Sequence, residues 1–421
     1  MFKRDIKKVG SRSSNYTYRH LDRLLKIFAL SYNVQRNNHF QTLTSILRIV
    51  STATIIGFCN FFALYIKIVY RYKELNVSIR LMDFLQSIYN YCQYLTDIYF
   101  VYKYGREISL EYFKQYKNLD VILGTMYQGE IKERLLKLTI LFSIIWTTSS
   151  ACDYAAWALN HVWTTPIAFS TSFIFLLIKI LTTLDFTTHV MHVECRLRII
   201  GDFVQNYFDV SENLSGVLGE FNDRKCWFRD HSGNLPAELG VMSRQLKTYS
   251  SSDCHEVDWL IQCYLFLTEQ CTFINTMYGT RILLISTSLL IDMITYANTS
   301  ARIIIGAMGT EGDFIFGVEE FTGISTLMRL LTCAVVMISV VDHCERVYRQ
   351  RERILTVIDH LLISKLISAE TRKTMNELRE LVKSRAISFH MANLVSLQYS
   401  LLVSIASVVV SYTIILLQSI K

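Results

Sequence analysis

Proline occurs twice and glycine 16 times in 421 residues, where average usage of about 5% and 7% would give roughly 20 and 29. A chain so poor in turn-formers has few places to break a helix. That excludes β-sandwiches, collagen-like repeats and disordered scaffolds. Charge is also scarce: 19% of residues are charged, 51% are apolar and the mean hydropathy is +0.27, whereas soluble domains carry roughly 25% charge. An apolar, all-helical chain of this size reads as a membrane protein.

Chemical motifs are missing too. The ten cysteines are scattered and form no CxxC pair, so neither a zinc site nor a dense disulfide framework is signalled. There is no GxSxG elbow, GxxxxGK[ST] loop, HExxH or GxGxxG, and hydrolase, NTPase, zincin and dinucleotide readings lose their support. The expectation is a protein that is not an enzyme, with no cofactor and no metal. His189 and His192, three residues apart, are expected to be structural or interfacial, because no further ligands accompany them. No cleavable signal peptide is visible: the first long apolar run starts near Leu43, after a basic arm.

Seven stretches are long enough to cross about 30 Å of hydrocarbon, which takes about 20 helical residues. They run from Leu43 to Tyr70, Ser78 to Tyr104, Leu135 to Ala158, Ile167 to Val190, Thr280 to Ile304, Phe321 to Cys344 and Ala392 to Ile420. The second carries Asp83, Asn90 and Asp97 and must sit against other helices or water. Short loops rich in lysine and arginine stay cytoplasmic. Residues 1–42 hold nine basic residues against Asp5 and Asp22, a net +7 equal to that of the whole chain. Residues 104–137 hold six and residues 346–385 ten, whereas 159–166 and 306–320 hold none. The fold expected is therefore an all-α membrane protein of seven transmembrane helices, with the N-terminus inside and the C-terminus outside.

The domains that follow are a cytoplasmic arm (1–42), helices one to four (43–190), a cytoplasmic linker and helical extension (191–278), helices five and six (279–345), a cytoplasmic anchor helix (346–391) and helix seven (392–421). The stretch from Asp209 to Asp253 reads as a flexible linker. Val257, Leu260, Ile261, Tyr264, Leu267, Cys271 and Ile274 recur at helical spacing before the fifth span, as do Met375, Leu378, Leu381, Val382 and Ala386 before the seventh. Together they predict a helical cytoplasmic anchor layer. The basic arm beside a membrane span suits anionic lipid and is no nucleic-acid signal.

The last helix is the informative one. At about 100° per residue, Asn393, Ser396, Ser400, Ser404, Ser407, Ser411 and Gln418 share one narrow face, with leucine, isoleucine, valine and alanine around the rest. Small residues four apart suit a packing seam between helices. A polar rail through the bilayer suits a water-filled pore enclosed by several copies. Both readings stand on spacing alone.

The stretch Ser411-Tyr412-Thr413-Ile414-Ile415-Leu416-Leu417-Gln418-Ser419 resembles the Thr-Tyr-(five apolar)-Gln-Phe signature that closes the seventh helix of insect gustatory receptors. Tyr412 and Gln418 match at the right separation, Ser411 stands for threonine, and Ser419 departs from phenylalanine. The resemblance implies a homotetrameric tastant-gated cation channel of the plasma membrane, with or without related receptor subunits. Its seventh helices would line the pore. Gln418 would be the gate residue, Ile414 and Leu417 its apolar neighbours, and Ser404, Ser407 and Ser411 the lining. A bitter compound is the expected tastant, since bitter receptors are the more numerous members.

The ligand, again by resemblance, belongs in the outer half of the first six spans. Tyr91, Asp153, Tyr154, Trp157, Asp292, Tyr296 and Arg329 are the candidates there, because ionisable groups at such depth face a partner or water. Arg329 pairing structurally with Asp153 or Asp292 competes with direct ligand contact. Lys179 and Asp185 are expected to neutralise partners within the bundle. Asn76-Val77-Ser78 is a glycosylation sequon. Odorant receptors and sugar-gated gustatory receptors are near alternatives. A G-protein-coupled receptor would need an outside N-terminus, and a secondary transporter would show repeated halves and helices broken in mid-membrane.

Overall fold

The computed structural model describes residues 19–31, 39–71, 77–104, 108–124, 127–160, 164–207, 254–305, 318–363 and 369–418. The linker from Asp209 to Asp253, Asn76 of the sequon and Ser419 lie outside the described residues. The helices are α1 (Arg19–Ile27), α2 (His39–Ile66), α3 (Val77–Tyr104), α4 (Ile108–Leu123), α5 (Tyr127–Asn160), α6 (Thr164–Tyr207), α7 (Cys254–Ile304), α8 (Val318–Ile363), α9 (Ala369–Ser384) and α10 (Tyr399–Gln418). Strands β1 (His390–Met391) and β2 (Val395–Ser396) form a small hairpin before α10. The all-helical membrane architecture read from the sequence is present. Among the described residues, six helices are both long and apolar enough to cross a bilayer. The remaining expected span, α3, has 28 residues, about 42 Å of helix, but its charges lower its hydropathy. Two of those charges are answered inside the bundle: Asp83 accepts from Lys67 at 2.9 Å and Asp97 from Arg281 at 3.3 Å.

Contacts divide the chain into two units. The first holds Met1–His192, Cys271–Glu345 and Ser388–Lys421. Its centre is α6, whose candidate span is 78% buried, against 22% for α2 and α5. Phe175, Leu176, Ile178, Ile180, Leu181, Leu184 and Phe186 are buried around the helix, as expected where apolar side chains occupy every face. The surrounding helices turn large apolar residues outward, among them Phe58, Phe61 and Phe62 on α2 and Leu136, Ile140 and Ile144 on α5. Such a surface would aggregate in water and is solvated by lipid. Helix α1 docks through Leu21, Leu25 and Leu30, with the Tyr94 hydroxyl donating to Phe28 O at 3.0 Å.

The second unit, Val193–Gln270 with Arg346–Ile387, has its own core of Leu197, Val204, Leu260, Tyr264, Leu267, Ile354, Ile358, Met375, Leu378 and Val382. Arg196 donates to Gln270 at 2.6 Å, Arg353 pairs with Asp202 at 2.7 Å, and the Tyr264 hydroxyl donates to Arg385 O at 2.9 Å. The helical spacing read on α7 and α9 corresponds to buried residues at Leu260, Tyr264, Leu267, Cys271 and Ile274 and at Met375, Leu378 and Val382, with Ile261 and Leu381 half-buried and the Val257 side chain outside the described residues. Ala386 lies past the end of α9 and is exposed, because the helix stops at Ser384 and the chain extends toward the hairpin.

The hairpin corrects one expectation. The seventh span was to begin at Ala392, but α10 begins at Tyr399. Leu394 N donates to Met391 O at 2.9 Å, closing a turn whose central residues Ala392 (φ 49°) and Asn393 (φ 59°) are left-handed, the conformation of a tight hairpin. Asn393 and Ser396 therefore leave the helical face. Asn275 of α7 clamps the hairpin twice, donating to Ser388 O at 2.9 Å and accepting from His390 N at 3.1 Å. Gly279, one turn along, permits the approach: a Cβ there would lie 3.0 Å from His390 O and 3.1 Å from Ala392 N. Both neighbours are backbone atoms and yield poorly. Gly279→Val is expected to cost about 1–3 kcal/mol, seen as a lower unfolding temperature of the detergent-purified chain. An unchanged temperature would mean that the hairpin moves aside freely.

Candidate pore helix and ligand site

None of the residues of α10 is buried, although it is the most apolar candidate span. The exposure is ordered. Taking Ser400 as zero and about 100° per residue, Leu402, Ile405, Val409, Thr413 and Leu416 cluster around 180° and are half-covered. Ser400, Ser404, Ser407, Ser411 and Gln418 fall within about 40° of the opposite direction, and all are exposed. Ile414, 49% exposed, borders this row, whereas half-covered Leu417 sits on the flank. The polar row thus points directly away from its own chain, so a seam with another helix of the same subunit is excluded among the described residues. Ser404 satisfies its hydroxyl by donating to Ser400 O at 3.0 Å, a bond that leaves the oxygen's lone pairs facing outward. Without Asn393 and Ser396 the row runs from Ser400 to Gln418, about 27 Å.

Both ends of α10 are tied to unit-one helices by polar contacts. At its start, the Tyr399 hydroxyl donates to Asp342 at 2.8 Å and Tyr399 N to Glu345 at 3.0 Å. At its finish, Arg302 Nη2 of α7 donates to Leu416 O at 3.2 Å, with Arg302 Nε on Asn298 at 3.1 Å. A cation on the last carbonyls also complements the negative end of the helix dipole. Arg302 was not among the residues singled out from the sequence, because a basic residue near a span end is ordinarily read as an interfacial anchor.

Among the described residues, the ionisable groups inside the first unit are ion-paired or hydrogen-bonded. Lys179 of α6 meets Asp292 of α7 at 2.6 Å, and Gln86 of α3 also bonds to Asp292. Arg329 of α8 meets Asp153 of α5 at 2.7 Å and Ser172 of α6 at 3.2 Å. The guanidinium lies 4.6 Å from the Phe173 ring centre and 5.2 Å from that of Tyr296. Asp185 accepts from the Tyr278 hydroxyl at 2.6 Å. His189 and His192 accept or donate to Tyr112 and Tyr116 at 2.8 Å and 2.9 Å, so both are built into the packing, and no metal-binding cluster exists among the described residues.

Four of the seven ligand candidates come together: Arg329 meets both Asp153 and the Tyr296 ring, and Asp292 lies one turn from Tyr296 on α7. Tyr91 is elsewhere, packed on Gly57 and Phe61 of α2 with its hydroxyl donating to Ala53 O at 3.3 Å. Tyr154 turns outward from α5, 48% exposed. The Trp157 side chain lies outside the described residues.

No protein-family model and no curated protein sequence matches the chain. Solved structures do. The fold is that of an insect olfactory receptor. The receptor OR5 of Machilis hrabei in complex with eugenol aligns over 95% of this chain and 98% of its own, at 12% identity and a TM-score of 0.56. A second structure of the same receptor gives 95% and 97% coverage at 10% identity and the same score. At these identities the likeness is one of fold.

Proposed function

We propose that the chain is a tastant-gated, non-selective cation channel of the insect gustatory receptor type, working in the plasma membrane as a homotetramer or with related receptor subunits. A single observation carries the reading: the serine and glutamine row of α10 faces away from its own subunit on a helix with no buried residue. Polar side chains turned to lipid would be costly, whereas copies around an axis would turn the same row to water. Gln418 then forms the outer constriction beside Ile414, Ser404, Ser407 and Ser411 line the path, and Leu417 supports the gate from the flank. The motif from Ser411 to Gln418 favours taste, and a bitter plant compound is the proposed agonist.

An agonist held among α5, α6, α7 and α8 would open the channel through its higher affinity for the open arrangement. An odorant-gated channel is the second reading, favoured by the likeness to the Machilis hrabei receptor. Whole-cell recording from cells expressing this chain alone, with G-protein signalling blocked, tests the proposal over a panel of plant metabolites, odorants and sugars. A persisting agonist current is expected. Loss of every response under the block would point to a coupled receptor instead. In the same cells Gln418→Ala is expected to change unitary conductance or raise basal leak at least severalfold, and unaltered currents from a well-expressed variant would remove Gln418 from the constriction.

A further inference from the structure

Arg329 engages the protein through one nitrogen, Nη1, which donates to Asp153 and Ser172. Its Nε and Nη2 are buried and have no hydrogen-bond partner, although the residue is only 2% exposed. Buried donors are almost always satisfied, and a charged donor left unmade is costly. The two unused groups are also the pair that matters geometrically. The N–H of Nε and the neighbouring N–H of Nη2 point the same way and form the planar fork with which arginine grips two oxygens at once. The other directions are occupied, by Asp153 at one end and by the Phe173 and Tyr296 rings. Asp153 lies seven residues before the end of α5, Ser172 eight after the start of α6, and Tyr296 eight before the end of α7. All three thus sit about 10–12 Å below the same end of the bundle, the end at which Leu416 receives Arg302.

Charge selects the occupant. Asp153 already neutralises Arg329, and Asp292 beside Tyr296 is neutralised by Lys179. A carboxylate would fit the fork but would bury a negative charge with no free counterion. A small-ring lactone offers two coplanar oxygens on one carbon with no charge, and its ring turns the alkoxy carbon away from the fork, whereas an open-chain ester in its preferred Z form places that carbon across it. Building on the ligand-gated reading, we propose that the Arg329 fork binds the paired oxygens of a neutral lactone, and that Asp153 is the residue that rejects the ring-opened acid.

The test uses the purified full chain in lipid nanodiscs, with the unfolding midpoint as the measure of binding. The probes are methyl cinnamate, cinnamate and β-methylstyrene, and γ-decalactone beside 4-hydroxydecanoate. The lactone is expected to raise the midpoint, the ester to raise it less because only its carbonyl oxygen is open to the fork, and the carboxylates and the hydrocarbon to leave it alone. Arg329→Lys keeps a cation opposite Asp153 but loses the fork, and should weaken lactone binding roughly ten- to a hundredfold. Asp153→Asn leaves the arginine charge uncompensated, so preference should invert toward 4-hydroxydecanoate, a change that a merely structural pair would not produce. Lactone binding unaltered in Arg329→Lys, a carboxylate preferred by the wild-type chain, or no stabilisation by the lactone would overturn the assignment. Bilayer recording on the same material separates the two claims. Stabilisation without current retains the fork and removes the channel, and a lactone-evoked current indifferent to Arg329→Lys retains the channel and removes the fork.

Discussion

Asp97→Ala is expected to destabilise the first unit by about 3–5 kcal/mol, because it takes a carboxylate away from a fully buried arginine. The side chains of Asp97 and Arg281 are both 0% exposed and meet at 3.3 Å, with the guanidinium also 5.3 Å from the Tyr278 ring centre. Set against a total stability of roughly 5–15 kcal/mol, the single substitution should remove a large part of the folding margin and clearly lower the unfolding temperature of the detergent-purified protein. The double variant Asp97→Ala with Arg281→Met removes both charges and should recover much of the loss, since a well-packed apolar pair replaces a buried ion pair at little cost. Thermal unfolding of the two variants decides the matter. Equal destabilisation would mean that volume, not charge, is what the site lacks. The same change at Asp83 should matter less: its side chain is 20% exposed where it meets Lys67, so lipid headgroups or water can take over part of the lost contact.

How far such pairs could be read beforehand depends on what fixes them. The apolar spacing of Leu260, Tyr264, Leu267, Cys271 and Ile274 is a property of one helix, and those residues are buried on α7 as the pattern requires. Arg329 was left between two partners because the choice depends on how α5, α7 and α8 are rotated against one another. Lys179 takes Asp292 at 2.6 Å, which leaves Asp153 to Arg329. The turn at Ala392 and Asn393 was hidden for a different reason. Residues 392–398 continue the spacing of the last helix, and the departure comes from two left-handed residues held by Asn275 and by the missing side chain of Gly279, contacts more than a hundred residues distant. The outward polar row was legible as a row. Its direction was not, because helical periodicity says which residues share a face but not what the face meets.

Arg302→Ala is expected to leave agonist binding intact and to abolish most of the agonist-evoked current. On the channel reading, a ligand touching Tyr296 and Arg329 must act on Gln418 through α7, and Arg302 lies six residues beyond Tyr296 on that helix, about 9 Å along it. From there its Nη2 reaches Leu416 O at 3.2 Å, two residues before the constriction. Helix α10 has no buried residue to hold it by packing, so a charge-assisted bond at its C-terminal end counts for more than it would on a buried helix. Such bonds contribute about 1.5–3 kcal/mol, equivalent to roughly a ten- to hundredfold bias between two arrangements of the pore. Arg302→Lys keeps the cation near the helix end and should restore part of the current. The decisive comparison is the agonist-induced rise in unfolding temperature against the maximal current in the same variant: retained stabilisation with lost current locates Arg302 between site and gate, whereas parallel loss of both would make it part of the binding site, and full current in Arg302→Ala would show that α10 is moved by its other end, where Tyr399 meets Asp342 and Glu345.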